Sequence, residues 1–167
     1  MKDIKTAFER SVKALTLRPS IGRGTSATTV RITEGLACEI ISGRWKLVAD
    51  MTASSGGTAT APTPGVYGRA ALGSCLAIGY QMRAAAAGVP IRSLEVVVEG
   101  DYDEGGLYGV GDVPAGYLAV RYTVTIESSA PEAEVRRVVE EADAHSPWLD
   151  VFASAKSVAR TLHIVGT

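Results

Sequence analysis

The chain has 167 residues, of which 46% are hydrophobic and 21% are charged, and its formal net charge is −1. This composition is typical of one soluble globular domain, and the lack of a basic patch argues against nucleic-acid binding. The longest apolar stretch, residues 70–87, contains Gln81 and Arg83, so that no membrane span is predicted.

Cysteine and histidine content bears on redox chemistry and metal binding. Cys38 and Cys75 are expected to be free thiols of a cytoplasmic protein, because the first residues lack the apolar core of a signal peptide and structural disulfides are rare in the cytoplasm. The two histidines, His145 and His163, lie far apart, and no Cys/His spacing suits zinc. Neither a metal nor another cofactor is predicted.

The first third of the chain predicts one helix and three strands. Residues 2–16 are predicted to form an amphipathic helix, because their apolar residues recur on one helical face. These residues are Ile4, Phe8, Val12 and Leu15. Alternating apolar and polar residues over 26–50, divided by two Gly-containing turns, predict three short strands. A Gly- and Pro-containing loop over 53–65 follows.

A long helix is predicted over residues 66–88. It is apolar on nearly every face, which is typical of a helix that is buried all round. Gly68, Gly73 and Gly79 lower its helix propensity, and we expect them to permit close approach of another helix. Gly88 and Pro90 are predicted to end it.

The remaining elements alternate strands and helices. Strands are predicted around residues 94–98 and 118–126, with a Gly-rich loop over 101–116 between them. A helix is predicted to start near Ser129, with Glu132 completing a capping box. Its inner face is expected to consist of Val135, Val138, Val139 and Ala142. A Ser-Pro break at 146–147 ends this helix, and a last strand is predicted over 161–165.

This order of elements predicts an α+β fold in which an antiparallel sheet lies around a long buried central helix. One six-stranded sheet covers only one side of that helix, so an intertwined homodimer is the simplest way to bury the other side. We predict one domain over residues 1–167, with an N-terminal helix and linker over 1–20 and a core over 25–165.

Cys75 is the first candidate for chemistry. Its neighbours one helical turn away are apolar or small, which suits an inert packing thiol as well as a nucleophile. Tyr80 and Trp148 are interpreted as packing residues that also suit the wall of a pocket, and His145 as a cation at a helix end. These three are the candidate binding residues. Arg69 is expected to point away from the thiol, because it lies six residues earlier in the helix.

Several segments together resemble the OsmC/Ohr family. They are the Gly-Gly loop, the Pro-led turn, the helix segment Ala-Leu-Gly-Ser-Cys-Leu over 71–76, the strand over 91–101 and Ala-His-Ser-Pro over 144–147. The resemblance covers about residues 25–165. It implies that Cys75 attacks an organic hydroperoxide and becomes a sulfenic acid, which a second cysteine resolves as a disulfide.

The chain departs from the pattern of the peroxidatic members at three positions. Ser146 stands where the resemblance places the resolving cysteine, and Gly65 stands where it places a glutamate at the helix start. The resemblance places an activating arginine at the first hairpin turn, where this chain has Glu34, Gly35 and Leu36. Arg23 and Arg31 lie nearby in sequence, and Arg31, from the same chain or from a dimer partner, is the candidate. Cys38 is interpreted as a strand packing residue, with resolution of an oxidised Cys75 as the alternative.

Two functions remain open at this point. The first is thiol-dependent reduction of hydroperoxides by Cys75, with an external thiol in place of the resolving cysteine. The second is a non-catalytic dimer of OsmC-like fold that binds a small apolar ligand in the cleft near Cys75. A purely structural or interaction role has no sequence feature of its own.

Overall fold

The chain forms five α-helices and two separate antiparallel sheets in a computed structural model that describes residues 2–166. The helices are α1 (Lys2–Leu17), α2 (Pro64–Ala87), α3 (Glu104–Tyr108), α4 (Glu132–Asp143) and α5 (Pro147–Ala153). The strands are β1 (Thr29–Glu34), β2 (Ala37–Ser42), β3 (Trp45–Ala49), β4 (Ser93–Asp101) and β5 (Ala119–Glu127). Short 3-10 helices lie at Pro19–Gly22 and Ala53–Ser55.

The central helix, α2, confirms the long helix predicted over residues 66–88. It begins at Pro64, whose fixed φ and missing N–H suit the first helical turn. It ends at Gly88, which adopts a left-handed conformation with φ of 74°. The N–H of Val89 then donates to the carbonyl of Ala84 at 2.9 Å, which closes the last turn.

One face of α2 forms the core together with the sheet of β4 and β5. Leu72, Leu76 and Tyr80 recur every fourth residue and are at most 1% exposed. The two strands pair antiparallel and alternate half-buried with exposed residues, so that one face of this sheet packs on α2. The residues on that face are Leu94, Val96, Val98, Val120, Tyr122 and Val124.

The three helix glycines differ in how closely they are packed. A Cβ on Gly79 would meet the Cβ of Ala142 in α4 at 4.0 Å, an ordinary van der Waals distance, so α4 packs on this position but the contact does not require a glycine. A Cβ on Gly73 would instead meet Val98 of β4 at 3.2 Å, so this glycine serves helix–sheet packing. No atom lies within 4 Å of a Cβ built on Gly68.

The expectation that α2 is buried on every side is not met within one chain. Ile78 is 60% exposed and Met82 39% exposed, although both belong to this apolar helix. The described chain covers the sides of α2 that face the sheet, α1, α4 and α5. The remaining side is open because no further element among the described residues reaches it.

The N-terminal sheet, formed by β1, β2 and β3, has one apolar and one more polar face. Cross-strand partners share a face, and the register joins Val30 to Ile40 and Ile40 to Leu47. The next row on this apolar face joins Ile32 to Cys38 and Cys38 to Ala49. Val30, Ile32 and Leu47 are 58%, 66% and 45% exposed, so the apolar face is largely uncovered.

The predicted single six-stranded sheet and its last strand are corrected by the structure. The five strands form a three-stranded and a two-stranded sheet that do not join within the described chain. Residues 161–165 have no regular secondary structure, and Leu162 and Ile164 in this segment are 68% and 84% exposed. A segment becomes a strand only where a neighbouring strand pairs with it, and this one has no such neighbour among the residues that the structure describes.

The helices of the C-terminal half differ in detail from the sequence prediction. Helix α4 begins at Glu132 behind Pro131 and has no side-chain cap, so the predicted capping box at Ser129 is wrong. Ser128 supplies the local side-chain contact instead, since its hydroxyl accepts from the N–H of Ala130 at 3.1 Å. The predicted inner face of α4 is confirmed, with Val138 and Ala142 each 4% exposed.

Two helices were missed and one was confirmed. The loop over 101–116 contains α3, which starts where Asp103 accepts from the N–H of Gly105 at 2.8 Å. The break at 146–147 ends α4 but also starts α5. The amphipathic helix predicted over 2–16 is α1, which packs on α2 through a cation–π contact of Arg83 with Phe8. Among the described residues, none of the helices has the length and apolar character needed to cross a membrane.

Candidate functional site

The candidate site is a cavity of about 360 Å³ between α1, α2 and the start of α5. Cys75 forms part of its wall, is partly buried and carries a free thiol. The Cys75 Sγ lies 3.6 Å from the Oγ of Ser146. The other apolar wall residues are Phe8, Ile78, Met82, Ala142 and Pro147. The cavity therefore offers a mainly apolar space beside a thiol.

Ser146 is placed by the junction of two helices. Its hydroxyl caps α5 by accepting from the N–H of Leu149 at 3.3 Å, and Pro147 follows as the first helical residue. Its own N–H donates to the carbonyl of Asp143 at 3.2 Å. Ser146 is only 8% exposed. The short link between α4 and α5 thus holds this hydroxyl beside the sulfur.

A buried network fixes the end of α4 just before Ser146. The phenol of Tyr80 donates to one oxygen of the Asp143 carboxylate at 2.6 Å, and the phenol of Tyr122 donates to the other at 3.1 Å. Burial and the adjacent Asp143 carboxylate raise the pKa of Tyr80 far above its ordinary value. The same two causes raise the pKa of Tyr122. Both phenols therefore stay protonated donors at physiological pH.

Charged groups lie at the rim of the cavity. Arg83 packs over the ring of Phe8 at 5.2 Å and pairs with Glu141 at 3.1 Å, so this cation links α1, α2 and α4. His145 Nδ1 lies 2.8 Å from the backbone carbonyl of Glu141. Among the candidate binding residues, His145 is the one that the structure brings to the cavity.

Two side chains, Tyr117 and Arg69, lie beside Gly65 at the start of α2. Tyr117 donates its phenol to the carbonyl of Gly65 at 3.3 Å, and Arg69 donates to the phenol oxygen at 3.1 Å. A Cβ on Gly65 would meet the Arg69 guanidinium at 3.5 Å. Arg69 thus points away from the thiol, as expected, and a phenol lies near the position where the resemblance implies a carboxylate.

Asp50 organises the loop that leads from the N-terminal sheet into α2. Its carboxylate, 1% exposed, accepts from the backbone N–H groups of Met51, Thr58 and Thr60 and from both threonine hydroxyls. The Thr58 hydroxyl contributes most to holding the pKa of Asp50 well below its usual range, and the backbone donors add to it against the opposing effect of burial.

The other sequence candidates lie outside the cavity. Arg31 is exposed and its cross-strand partner is Glu39, so it lies on the face of the N-terminal sheet opposite to Ile32 and Cys38. That position does not bring it to Cys75 within one chain, and its catalytic role stays a prediction. Cys38 is a partly buried free thiol on β2 and is absent from the cavity wall.

Tyr80 and Trp148 occupy two different environments. Tyr80 is 0% exposed and belongs to the core, where it bonds to Asp143, and this position favours a structural role. Trp148 is 43% exposed and lines a second, more open cavity of about 620 Å³ together with Tyr117 and Phe152. Their binding roles stay predictions, since neither residue lines the cavity beside Cys75.

The family assignment follows from a comparison with protein-family models. The model described as OsmC-like protein matches residues 56–159, which include α2, β4, β5, α4, Cys75 and Ser146. The chain belongs to the OsmC-like protein family. The sequence has no significant match among curated proteins.

Solved structures of other OsmC-like proteins share the fold. An OsmC-like protein from Mycoplasma pneumoniae is 18% identical with a TM-score of 0.66, over 78% of this chain and 88% of that one. An organic hydroperoxide resistance protein OsmC from Legionella pneumophila is 15% identical with a TM-score of 0.56, over 77% and 89%. The organic hydroperoxide resistance protein OhrB of Bacillus subtilis is 19% identical with a TM-score of 0.51, over 77% and 90%.

Sequence reasoning found the thiol of this OsmC-like protein but missed most of the cavity. Phe8 and Arg83 were treated only as members of their helices. A signal existed, because Cys75, Gly79, Met82 and Arg83 follow helical spacing and therefore share one side of α2. Nothing in the spacing showed that α1 would pack on that side. Among the described residues, no group of three His, Cys, Asp or Glu side chains is arranged to hold a metal ion.

Proposed function

We propose that this OsmC-like protein reduces organic hydroperoxides through Cys75 and returns to the thiol state with the help of an external monothiol. The observation that supports this most is the Cys75 sulfur in the wall of an apolar cavity of about 360 Å³. That volume is within the range of small-molecule sites, and apolar walls favour an alkyl hydroperoxide over hydrogen peroxide. The Arg83 guanidinium and the His145 imidazole in the wall suit a polar group at the outer end of such a substrate.

The first step oxidises the sulfur and cleaves the peroxide bond. The Cys75 thiolate attacks the terminal oxygen of the hydroperoxide, the O–O bond breaks, and the electron pair leaves with the alkoxide. The alkoxide takes up a proton and departs as the alcohol, and Cys75 becomes a sulfenic acid. The peroxide is reduced by two electrons, which the sulfur supplies.

The second step needs a thiol from solution. Ser146 stands where the resemblance places a resolving cysteine. Its oxygen lies 3.6 Å from the Cys75 sulfur but cannot form a disulfide. An external monothiol condenses with the sulfenic acid, which releases water and gives a mixed disulfide. A second monothiol then attacks this disulfide, so that Cys75 is released as a thiol and the two monothiols leave as their disulfide.

The proposal is tested by hydroperoxide consumption with two kinds of reductant. Wild-type protein and the Cys75→Ser and Cys38→Ser variants are mixed with cumene hydroperoxide and either glutathione or dihydrolipoic acid. We expect turnover with glutathione in the wild type and in Cys38→Ser, and none in Cys75→Ser. Without a thiol, mass spectrometry should show Cys75 oxidised beyond the sulfenic acid.

Two results would contradict this function. Equal consumption by the wild type and Cys75→Ser would remove the sulfur from the mechanism. Fast turnover with the dithiol, together with a trapped Cys38–Cys75 disulfide, would make Cys38 the resolving residue. The variant Ser146→Cys adds a positive control, since it should form an internal disulfide with Cys75 after oxidation, given the 3.6 Å between the two side chains.

The second candidate function is non-catalytic binding of a small apolar ligand in the same cavity. One observation favours it: a hydroperoxide resistance protein from Vibrio cholerae, 16% identical with a TM-score of 0.54, is described with captopril bound in one of its active sites. Tight binding of a small apolar compound to both the wild type and Cys75→Ser, without any peroxide consumption, would favour this function over the first.

We also propose a homodimer located in the cytoplasm. The open side of α2 and the apolar face of the N-terminal sheet expose large hydrophobic residues on one chain, which is typical of surfaces that another protein covers. A second copy is the simplest partner, since it brings an equal set of uncovered surfaces. A reducing cytoplasm would keep Cys38 and Cys75 as thiols. Sedimentation showing only a monomer at micromolar concentration would rule out the dimer.

A further inference from the structure

The hydroxyl of Ser146 has a restricted hydrogen-bond geometry. One of its lone pairs accepts from the N–H of Leu149 as the cap of α5. The residue is 8% exposed and lies in the wall of the cavity beside Cys75. A largely buried donor is costly to leave without a partner, so we expect its proton to point to an acceptor nearby.

The sulfur of Cys75 is the acceptor that the described part of the chain offers. The Oγ and Sγ lie 3.6 Å apart, within the range of a hydrogen bond that involves sulfur. A bond in the other direction, from the thiol hydrogen to the Ser146 oxygen, is weaker because an S–H is a weak donor, and it is lost once the thiol ionises. The Leu149 N–H occupies one side of the Ser146 oxygen, which leaves the hydroxyl proton free to face the sulfur.

We propose that Ser146 is a positioning residue that donates a hydrogen bond to Cys75 and stabilises its thiolate. This deepens the proposed function and rests on it for its biological meaning. A hydrogen bond to an anionic acceptor is stronger than one to a neutral acceptor, so donation favours the ionised sulfur. The position that supplies a resolving thiol in the peroxidatic pattern thereby supplies an activating hydroxyl here.

The surroundings of Ser146 support a fixed position for this donor. Its backbone N–H is bonded to the carbonyl of Asp143, and the Asp143 carboxylate is held by the phenols of Tyr80 and Tyr122. Both ends of the link between α4 and α5 are therefore anchored. A donor that is held in place by its surroundings does not have to be reorganised when the thiolate forms.

The experiment measures how fast Cys75 is alkylated by iodoacetamide between pH 6 and pH 9, without any peroxide. The variants are Ser146→Thr and Ser146→Val, which have nearly the same volume and differ in the hydroxyl. Peptide mass spectrometry reports Cys38 in the same sample, and this distant thiol serves as an internal reference for general loosening of the structure. Ser154→Ala, at the other end of α5, removes an exposed hydroxyl that does not contact the sulfur.

We expect the Val variant to be alkylated at Cys75 about fivefold more slowly than the wild type at pH 7, with its pH profile displaced to higher pH, as loss of a charge-assisted hydrogen bond requires. The Thr variant should keep a rate close to the wild type, and Cys38 should react equally in all proteins. The same Cys75 rate and profile in the Val and Thr variants would overturn the proposal.

This outcome can be separated from failure of the proposed function. If the wild type consumes no hydroperoxide but the Val variant slows alkylation, the peroxidase function fails and the role of Ser146 stands. If hydroperoxide is consumed and the Val and Thr variants react alike, the function stands and the role of Ser146 is wrong. Should the Val variant lose the α5 cap and unfold, Ser146→Gly against Ser146→Thr gives the same contrast, because glycine is tolerated at an N-cap far better than valine.

Discussion

The two sheets of this protein both have an apolar face, but these two faces lie in different surroundings. The sheet of β4 and β5 packs one face on α2, and its inner residues alternate regularly with exposed ones. The N-terminal sheet has an apolar face of comparable character, yet Val30 and Ile32 on it are 58% and 66% exposed. One sheet therefore finds its core within the chain, whereas the other does not.

The difference comes from how the two sheets are connected. The strand β4 follows α2 after a short turn and lies against that helix. The N-terminal sheet is joined to α2 through the loop held by Asp50, with a further hydrogen bond from Tyr67 of α2 to the carbonyl of Val48 at 2.5 Å. Alternation in a strand thus predicts which face will be buried, but not whether the same chain supplies the cover.

The largest effect on stability is expected from truncating a side chain in the core between α2 and the sheet of β4 and β5. Leu76→Ala removes a side chain that is 1% exposed, and should lower the free energy of unfolding by about 3 kcal/mol. Leu47→Ala makes the same chemical change on the N-terminal sheet, where the side chain is 45% exposed. Urea unfolding at low protein concentration should show a cost of about 1 kcal/mol or less for Leu47→Ala.

Measurements at several protein concentrations test the contrast between Leu76→Ala and Leu47→Ala further. The cost of Leu47→Ala should rise as concentration increases and dimers form, whereas the cost of Leu76→Ala should stay constant. Equal costs at every concentration would mean that one chain alone covers both sheets equally, and the contrast between them would be lost.

The next effect concerns the uncovered face itself. Ile32→Asp places a charge on the apolar face, at the edge strand β1, and should raise the dissociation constant of the dimer by at least about tenfold, because an unpaired charge is costly to bury. Arg31→Asp introduces the same side chain one residue earlier, on the opposite face. Analytical ultracentrifugation should show weaker association for Ile32→Asp alone. Equal weakening by both variants would place Arg31 at the interface too.

Regular patterns made much of the fold predictable. Periodicity predicts the strands over residues 26–50, the long helix and the inner face of α4. The reason is that apolar residues recur along the sequence with the period of the strand or helix that buries them. The helix ends at Gly88 for a conformational reason that is visible in the sequence. Cys75 was also identified from its helix.

The remainder depends on contacts between distant segments. The pairing of Cys75 with Ser146 joins residues 71 positions apart, and only the resemblance to a family related the two segments beforehand. The cavity wall includes Phe8 from α1, whose packing on α2 no local pattern encodes. Residues 161–165 have an extended apolar pattern but no neighbouring strand, and a strand requires a partner.

A smaller effect on stability is expected from removing the phenol groups of Tyr80 and Tyr122 that donate to Asp143. Tyr80→Phe keeps the buried ring but removes the hydrogen bond to Asp143, and should lower the free energy of unfolding by about 1 kcal/mol or slightly more. Tyr122→Phe removes the longer bond of a less buried residue and should cost less. Thermal unfolding of both variants measures this order. The reverse order would show that Tyr122, not Tyr80, is the main partner of the carboxylate.

A further effect is a pH dependence at the junction between the N-terminal sheet and α2. Asp50 has a pKa below its ordinary value in the folded protein, chiefly because the Thr58 hydroxyl and backbone N–H groups donate to its carboxylate. A lowered folded-state pKa contributes stability above the unfolded pKa, and this contribution is lost as pH falls towards the folded-state value. Asp50→Asn should therefore be less stable than the wild type at pH 7.

The measurement is the difference in stability between the wild type and Asp50→Asn as a function of pH. Urea midpoints of the wild type and Asp50→Asn should differ by a constant amount from pH 7 to about pH 5, and the difference should shrink below about pH 4, where unfolded aspartates take up protons. Asp112→Asn, in the exposed loop before β5, should show no such trend. A gap that stays constant at every pH would mean that Asp50 acts through the shape of its loop and not through its charge. In that case the N-terminal sheet and α2 would be held together by the shape of this loop and by the hydrogen bond from Tyr67 to Val48, without a contribution from the Asp50 charge.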